Sequence, residues 1–436
     1  MTDARTLVLE GFERHRAGDV PAALVLYNQA LARDPNESDA LHLSGMALRA
    51  LGRLDEALGF LDRACALRPA DAMFHANRAA ALLDMARPAE ARDAAAIAAG
   101  IDPNHAPAHI NLAAAAAALG DDAAAETSYR RALELAPASA DARNNFANLL
   151  QRSGRTLEAL DHYEAAIVAA PGHSAAHSNY GTALYALHRT GDGPLASAKA
   201  LAWAAAHPDN ATARHVAAAL TGGGADARAP DDYVRSAFDM FAPTFEATLA
   251  KLDYRAPQAL DALLARVMPL QAPLDAILDA GCGTGLAATM LRPRGRRLDG
   301  VDLSPAMVER ARNRGLYDEL RVAELTADLR AHAGAYDLIV AADVLCYFGD
   351  LAEAFAACAT ALKPAGALAF SLERLDDAGP EETWRVRPSG RYAHAAEALP
   401  RTLHAAGFDV PEIALESTRS ESGVPVPGLL VFARKR

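Results

Sequence analysis

Through its first half the chain repeats one pattern of small, large and helix-breaking positions every 34 residues. Prolines stand at 35, 69, 103, 137 and 171. Counting back from each, a small residue recurs 24 positions earlier (Gly11, Gly45, Ala79, Ala113, Ala147). Alanine recurs 12 earlier (Ala23, Ala57, Ala91, Ala125, Ala159) and again 5 earlier (Ala30, Ala64, Ala98, Ala132, Ala166). A larger residue sits 8 earlier in four units: Tyr27, Leu61, Tyr129 and Tyr163. Two antiparallel helices approach closely only where small side chains meet, with a larger one filling the space beside them. Proline then ends the second helix, which it cannot continue. Turn pairs Gly18-Asp19, Gly52-Arg53, Gly120-Asp121 and Gly154-Arg155 divide four units into two helices, while the third carries Ala86-Arg87-Pro88.

A fixed period of this length marks stacked helix pairs, and residues 4 to about 173 resemble the tetratricopeptide repeat (TPR) family. A sixth unit starts at Ser174 with Gly181 in register, its proline three residues late at Pro208. Asn210 to Leu220 reads as the capping helix that a solenoid needs over its last apolar face. The array is thus expected over 1–220, with Thr221 to Pro230 as a linker. The resemblance implies a groove that binds proteins or peptides. Asn77, Asn111, Asn145 and Asn179 again recur every 34 residues. They are placed either to hold the backbone of an extended peptide or to bond neighbouring helices.

From residue 231 the pattern changes to apolar strands alternating with helices. Leu274 to Ala280 is an apolar strand that runs into glycines at 281, 283 and 285, with a helix from Leu286 to Leu291. Glycine lets the backbone bend sharply and approach a ligand without a Cβ in the way. A nucleotide-like ligand lies across a parallel sheet at such a strand–turn–helix unit. The dinucleotide fingerprint would need glycine at 286, where this chain has leucine. A second strand, Leu298 to Asp302, ends in an acid 17 residues beyond Gly285. A carboxylate there accepts two hydrogen bonds from a vicinal ribose diol. Ser304 is placed to cap the next helix and Pro305 to open it. Further strands are expected over Arg321–Leu325, Tyr336–Asp343, Ala367–Leu372, Phe408–Glu416 and Gly428–Arg434, with a helix over Leu351–Leu362 and a turn at Lys363–Gly366.

The run Asp279-Ala-Gly-Cys-Gly-Thr-Gly285 is similar to the first motif of class I S-adenosylmethionine (SAM)-dependent methyltransferases, and the later strands follow that family's order. The whole C-terminal pattern, with Ser389-Gly-Arg-Tyr-Ala-His394, resembles a bacterial family of TPR-containing methyltransferases. The resemblance implies an α-helical TPR solenoid followed by an α/β Rossmann-like domain (231–436) with a seven-stranded, mostly parallel sheet. It implies SAM as cofactor. The turn at Gly281, Cys282, Gly283 and Gly285 would pack on its methionine part, and Asp279 would help position the amino group. Leu303 and Met307 would flank the adenine, Glu324 and Leu325 would meet its amino edge, and Asp343 would close the mouth of the site. Residues 231–270 look like lid helices with aromatics Tyr233, Phe238, Phe241 and Phe245. Core packing is expected for most of these, and Tyr233 is placed at the cofactor.

Methyl transfer is an in-line displacement, so alignment dominates and a base is needed only for an acceptor that must lose a proton. His394 is the candidate base by residue type. Tyr347 and Arg391 are its orienting partners by position. The acceptor is then a protein or peptide recruited by the array. The other readings are a small metabolite, with the array serving assembly alone, or a SAM-binding adaptor, against which the intact glycines and Asp302 speak. No Asn-Pro-Pro-Tyr-like motif follows the fourth strand, so methylation of a planar nitrogen is not supported.

Composition adds exclusions. A net charge of −12 over 436 residues does not favour a broad nucleic-acid grip. The run Arg292 to Arg297 is a local basic exception, read as a solvated loop or as a patch for an anionic substrate. The four cysteines form no C-x-x-C pair, hence neither a disulfide framework nor a metal site is expected. The first residues lack the apolar core of a signal peptide, and Ala113 to Leu119 is too short to span a bilayer, so a cytoplasmic, non-membrane protein is expected.

Overall fold

The computed structural model describes residues 3–269, 272–421 and 423–436. The first two positions of the expected array and Leu270, the end of the expected lid segment, lie outside the described residues. The chain forms two compact units, Met1–Asn179 and Tyr180–Arg436. This division falls inside the helix Ser174–Arg189, earlier than the expected linker at Thr221 to Pro230.

In the first unit each period gives two helices, Ala4–Arg16 with Val20–Arg33 being the first pair and Ala140–Arg152 with Thr156–Ala169 the fifth. Every second helix stops two residues before its proline. The residue in between is driven out of the helical region by the proline ring: Asp34, Arg68, Asp102, Ala136 and Ala170 all have φ between −130° and −141°. The turns between helices need a left-handed residue, which Gly18, Gly52, Gly120 and Gly154 supply. In the third unit Ala86 takes that conformation (φ 55°) despite its Cβ.

Close approach is enforced at the small positions. A Cβ on Gly11 would stand 2.6 Å from the Tyr27 ring, and one on Gly45 2.6 Å from Leu61 Cγ. The asparagine ladder bonds helix to helix. Asn77 Nδ2 meets His42 Nε2 at 2.7 Å, Asn111 donates to the Ala76 carbonyl (2.8 Å) and Asn179 to Asn144 Oδ1 (2.9 Å). Each partner lies 35 residues earlier, on the first helix of the preceding period. Asn145 accepts from its neighbour Asn144 at 3.3 Å.

The second unit opens within the helix Ser174–Arg189 and continues through Gly193–Ala206 and Ala211–Thr221, the last capped by the Asn210 side chain and by Gly222 in a left-handed conformation. The helices Asp231–Phe241, Phe245–Lys251 and Ala256–Val267 lead to the sheet. Its strands are β1 (Leu274–Ala280), β2 (Gly295–Asp302), β3 (Glu319–Val322), β4 (Tyr336–Ala341), β5 (Leu362–Arg374), β6 (Trp384–Val386), β7 (Tyr392–His394), β8 (Glu412–Leu415), β9 (Ser420–Glu421), β10 (Val424–Pro425) and β11 (Gly428–Arg434). The order β3-β2-β1-β4-β5-β11-β8 is parallel except at β11, which runs antiparallel to both neighbours. Strands β6 and β7 extend the sheet from the end of β5, and β9 pairs with β10 separately. Burial on both faces explains the continuous apolar strands. Leu278, Ile339 and Phe370 face one core, and Ile277, Leu338 and Val340 the other.

Several boundaries differ from those the pattern suggests. The expected strand Arg321–Leu325 is the end of β3 followed by a helix start, because Glu324 caps the helix Leu325–Ala331 by accepting from the Thr326 and Ala327 N–H groups. The turn at Lys363–Gly366 is a bulge within β5, with Ala365 at φ 59°. Of Phe408–Glu416, only Glu412–Leu415 is strand, although Phe408 bridges to Lys435. The basic run is paired: Arg292 with Asp318, Arg294 with Asp261, Arg296 with Asp275, and Arg297 with Asp299 and Glu319. All four cysteines are buried and unpaired. No described helix is long and apolar enough to cross a membrane.

The glycines of one helix pair make the packing argument testable. Gly59→Ala adds a methyl into open space on an exposed helix face and should raise stability by about 0.5–1 kcal/mol. Gly45→Ala gains the same helix propensity but meets Leu61 and the Ala57 carbonyl, and should cost about 1–3 kcal/mol. Thermal unfolding midpoints of the two variants should move in opposite directions.

Candidate functional site

The carboxyl ends of β1, β2 and β4 meet around one cavity. The chain leaves β1 through Gly281, Gly283 and Gly285, with φ of 69°, 53° and 84°. A Cβ on Gly281 would stand 2.1 Å from Val344 Cγ2, so the turn presses against the segment after β4. The Gly281 and Cys282 N–H groups both bond the Val301 carbonyl (2.8 and 2.9 Å), which ties the turn to β2. Above Gly283 the space is open, since a Cβ there would meet only the Phe245 ring, at 3.9 Å. Asp302 ends β2 with one carboxylate oxygen on the Gly283 N–H and the other on the Ser304 N–H, both at 2.9 Å. Burial raises its pKa, against the lowering effect of those bonds.

The cavity is lined by Gly281, Gly283, Asp302, Leu303, Glu324, Leu325, Asp343, Tyr347 and Arg391 among the residues expected at a site. Asp279 and Cys282 line a smaller adjoining cavity, which shares Gly281, Gly283, Phe245, Tyr254 and Ala342 with the first. Asp279 is 1% exposed and accepts from the Tyr317 hydroxyl at 2.6 Å. Burial pushes its carboxyl up to about 7, the Tyr317 bond lowers it, and the Asp302 charge adds to the rise. In the same small cavity Thr284 Oγ1 is buried with no hydrogen-bond partner among the described residues. Gly285 has its role in the turn: a Cβ there would crowd Arg314 and Tyr317.

On the far wall Asp343 stands two residues beyond β4 in a left-handed conformation (φ 58°). Its amide donates to Ser371 Oγ (2.8 Å), and its carboxylate faces Arg391 (3.4 Å) and Arg419 (3.3 Å). Arg419, 3% exposed at its side chain, also holds Glu373 at 2.5 Å. Arg391 lies over the Tyr347 ring, its guanidinium 5.6 Å from the centroid. Glu324 accepts from Thr326 and Ala327 as a helix cap and from Arg228 Nη1 at 3.1 Å. Burial raises its pKa, and these bonds outweigh that and hold it below the usual carboxylate range.

Three expected site residues stand elsewhere. His394 is buried on β7, with Nε2 on the Gly349 carbonyl (3.1 Å), and does not line the cavity. Burial takes its pKa down to about 4, leaving a neutral, enclosed ring. Tyr233 packs with Ala218, Ala219 and Tyr392 instead of facing the cavity. Met307 is fully buried on the inner face of the helix Pro305–Arg312 and acts as core. Conversely, Phe238 and Phe245 line the cavity, their rings meeting edge to face at 6.0 Å. The helix that carries Phe238 is fixed by Asp239, which accepts from the Ser304 hydroxyl and the Ala306 N–H.

The expected linker supplies two residues that the sequence pattern missed. Arg228 and Ala229 line the cavity because Ala229 N–H bonds the Tyr347 carbonyl (2.8 Å) and Gly349 N–H bonds the Ala227 carbonyl (2.7 Å). Glycine-rich composition hid this extended pairing, and an arginine between small residues was its one local sign. Tyr254, also on the cavity, follows Asp253 at φ 49° in a turn clamped by Arg255 N–H to Thr418 O and Ser420 N–H to Leu252 O, both 2.7 Å.

Comparison with known proteins agrees with both units. Residues 252–413 match a methyltransferase domain family, and residues 14–72, 106–139 and 144–211 match tetratricopeptide repeat families. The chain is 31% identical over 213 residues to methyltransferase-like protein 27 of Homo sapiens, covering 43% of this chain and 84% of that one. It is 35% identical over 96 residues to a ubiquinone biosynthesis O-methyltransferase of Marinobacter nauticus, covering 20% of this chain and 40% of that relative. Among solved structures, a thermophilic TPR protein of Thermus thermophilus is similar at 25% identity and a TM-score of 0.38, over 42% of this chain and 98% of that one. The chain belongs to the methyltransferase-domain family and carries tetratricopeptide repeats ahead of that domain.

Proposed function

We propose that the protein is a class I SAM-dependent methyltransferase whose acceptor is a protein or peptide recruited by the repeat array. The observation that carries the donor assignment is the convergence of Asp279, the open face of Gly283 and Asp302 on joined cavities. The residues fit the donor chemically. A carboxylate for a ribose diol stands at Asp302, an acid for an ammonium group at Asp279, and an unspent hydroxyl at Thr284 beside the latter. When bound, SAM supplies a methyl group on a sulfonium. The chain's own contribution is alignment and exclusion of water. Phe238, Phe245 and Tyr347 enclose the cavity, while Arg391 stands beside Asp343 as the group best placed to orient an acceptor.

No histidine lines the cavity among the described residues. The candidate base His394 therefore has a structural role on β7, and the ionisable groups left on the cavity wall are carboxylates, Tyr254, Tyr347 and arginines. The aromatic lining also favours a second reading, a small aromatic acceptor, with the array serving assembly.

Three measurements decide these points. Asp302→Ala should weaken SAM binding by roughly 10- to 100-fold in calorimetry, the loss expected for hydrogen bonds to a charged group, and unchanged affinity would remove the ribose assignment. Because the Asp279 carboxyl is pushed up to about 7, it gains charge only as pH rises through neutrality. SAM affinity should then rise roughly eightfold between about pH 6 and about pH 7.5, and Asp279→Asn should flatten that profile. Methyl-labelled SAM incubated with cell extract should label protein with the full chain and not with a chain that starts at Ser174. Label in small molecules with both would establish the second reading.

A further inference from the structure

The end of the repeat array belongs to the same compact unit as the sheet, and its contacts there are buried and specific. His215, on the helix Ala211–Thr221, is 0% exposed and donates from Nε2 to the Gly390 carbonyl at 3.0 Å. Gly390 is left-handed (φ 77°), and a Cβ on it would stand 2.5 Å from the Tyr233 hydroxyl and 2.9 Å from that of Tyr185. The ring of His215 lies 4.9 Å from that of Tyr233, and the Tyr392 hydroxyl donates to the Asp226 carbonyl at 2.8 Å. All these partners surround one tight turn at the tip of the β6–β7 hairpin, closed by Arg387 N–H to Arg391 O (2.7 Å) and Gly390 N–H to Arg387 O (2.9 Å). The next side chain along, Arg391, is the one that this hairpin sends into the cavity.

We propose that His215 and Tyr185, although they lie on array helices, are positioning residues of the active site: they fix the Gly390 turn and thereby the place of the Arg391 guanidinium. Neither touches the cavity. Their effect runs through one backbone carbonyl and one glycine with no room for a side chain. The inference rests on the proposed function only in that Arg391 faces the acceptor, and the geometry of the turn stands apart from it. The last helices of the array are then a built-in support of the catalytic unit.

The full chain with His215→Leu, His215→Gln or Gly390→Ala tests this without an acceptor. His215→Leu removes the bond to Gly390, and Gly390→Ala pushes the turn off the two tyrosines. Both should speed amide exchange in residues 387–394 roughly tenfold, the scale of one lost hydrogen bond in a local opening. Both should also accelerate modification of Arg391 by phenylglyoxal, read by mass spectrometry. His215→Gln keeps a donor and should restore most of the protection. Protection of β1, β2 and β4 and the affinity for SAM should stay as in the parent chain. Unchanged exchange and unchanged Arg391 labelling in both disruptive variants would overturn the proposal, as would loss of protection spread evenly over the sheet. A parent chain that binds no SAM would sink the proposed function and leave this result readable.

Discussion

The Asp302 carboxylate grips the Gly283 amide across the gap between two strands, and the rest of the site is arranged around that grip. Its second oxygen holds the Ser304 amide, so one side chain ties the glycine turn, the end of β2 and the start of the next helix together. A turn with three left-handed residues has little stiffness of its own. It gains shape from Val301 on one side, Asp302 beneath and Val344 against Gly281. Any ligand above Gly283 therefore meets a backbone already fixed in place, which lowers the ordering cost of binding.

The buried carboxylates of the site stand in two different surroundings. Desolvation pushes Asp279 and Asp302 toward their neutral forms, against the hydrogen bonds they accept. Asp343 and Glu373, by contrast, are compensated by Arg391 and Arg419, so the far wall is an ionic lattice with its charges matched. Buried charges persist only where partners and hydrogen bonds replace water. The site thus has a side that awaits positive charge and a side whose charges are already satisfied. That polarity distinguishes the wall near the glycine turn from the wall near Arg391.

Much of the fold was legible because its causes are local. The period of 34 follows from proline and its effect on the preceding residue, and the glycine turn from conformations that other residues rarely adopt. The chemistry of Asp302 could be read because it follows a strand at a spacing set by that strand and one helix. What the sequence hid depends on partners distant along the chain. Arg228 meets Glu324 at a separation of 96 residues, and His215 meets Gly390 at 175. Tyr233 and Phe238 sit on one helix, and nothing local says which of them faces the cavity. His394 drew attention by residue type, yet its strand lies beneath the Gly349 carbonyl and leaves it no opening.

The buried thiol in the glycine turn carries a last consequence. Cys282 lies within the motif, lines the small cavity and is 5% exposed. Burial, followed by the nearby charges of Asp279 and Asp302, raises its pKa well above the usual thiol range. Cys346, behind the far wall, is pushed up to about 12. A sulfonium donor is an alkylating agent, and the sulfur nucleophile it reacts with is the thiolate. Under the proposed function the burial of Cys282, with the charges of Asp279 and Asp302 adding to it, keeps this thiol of the glycine turn protonated, so that the methyl group is spared for the acceptor.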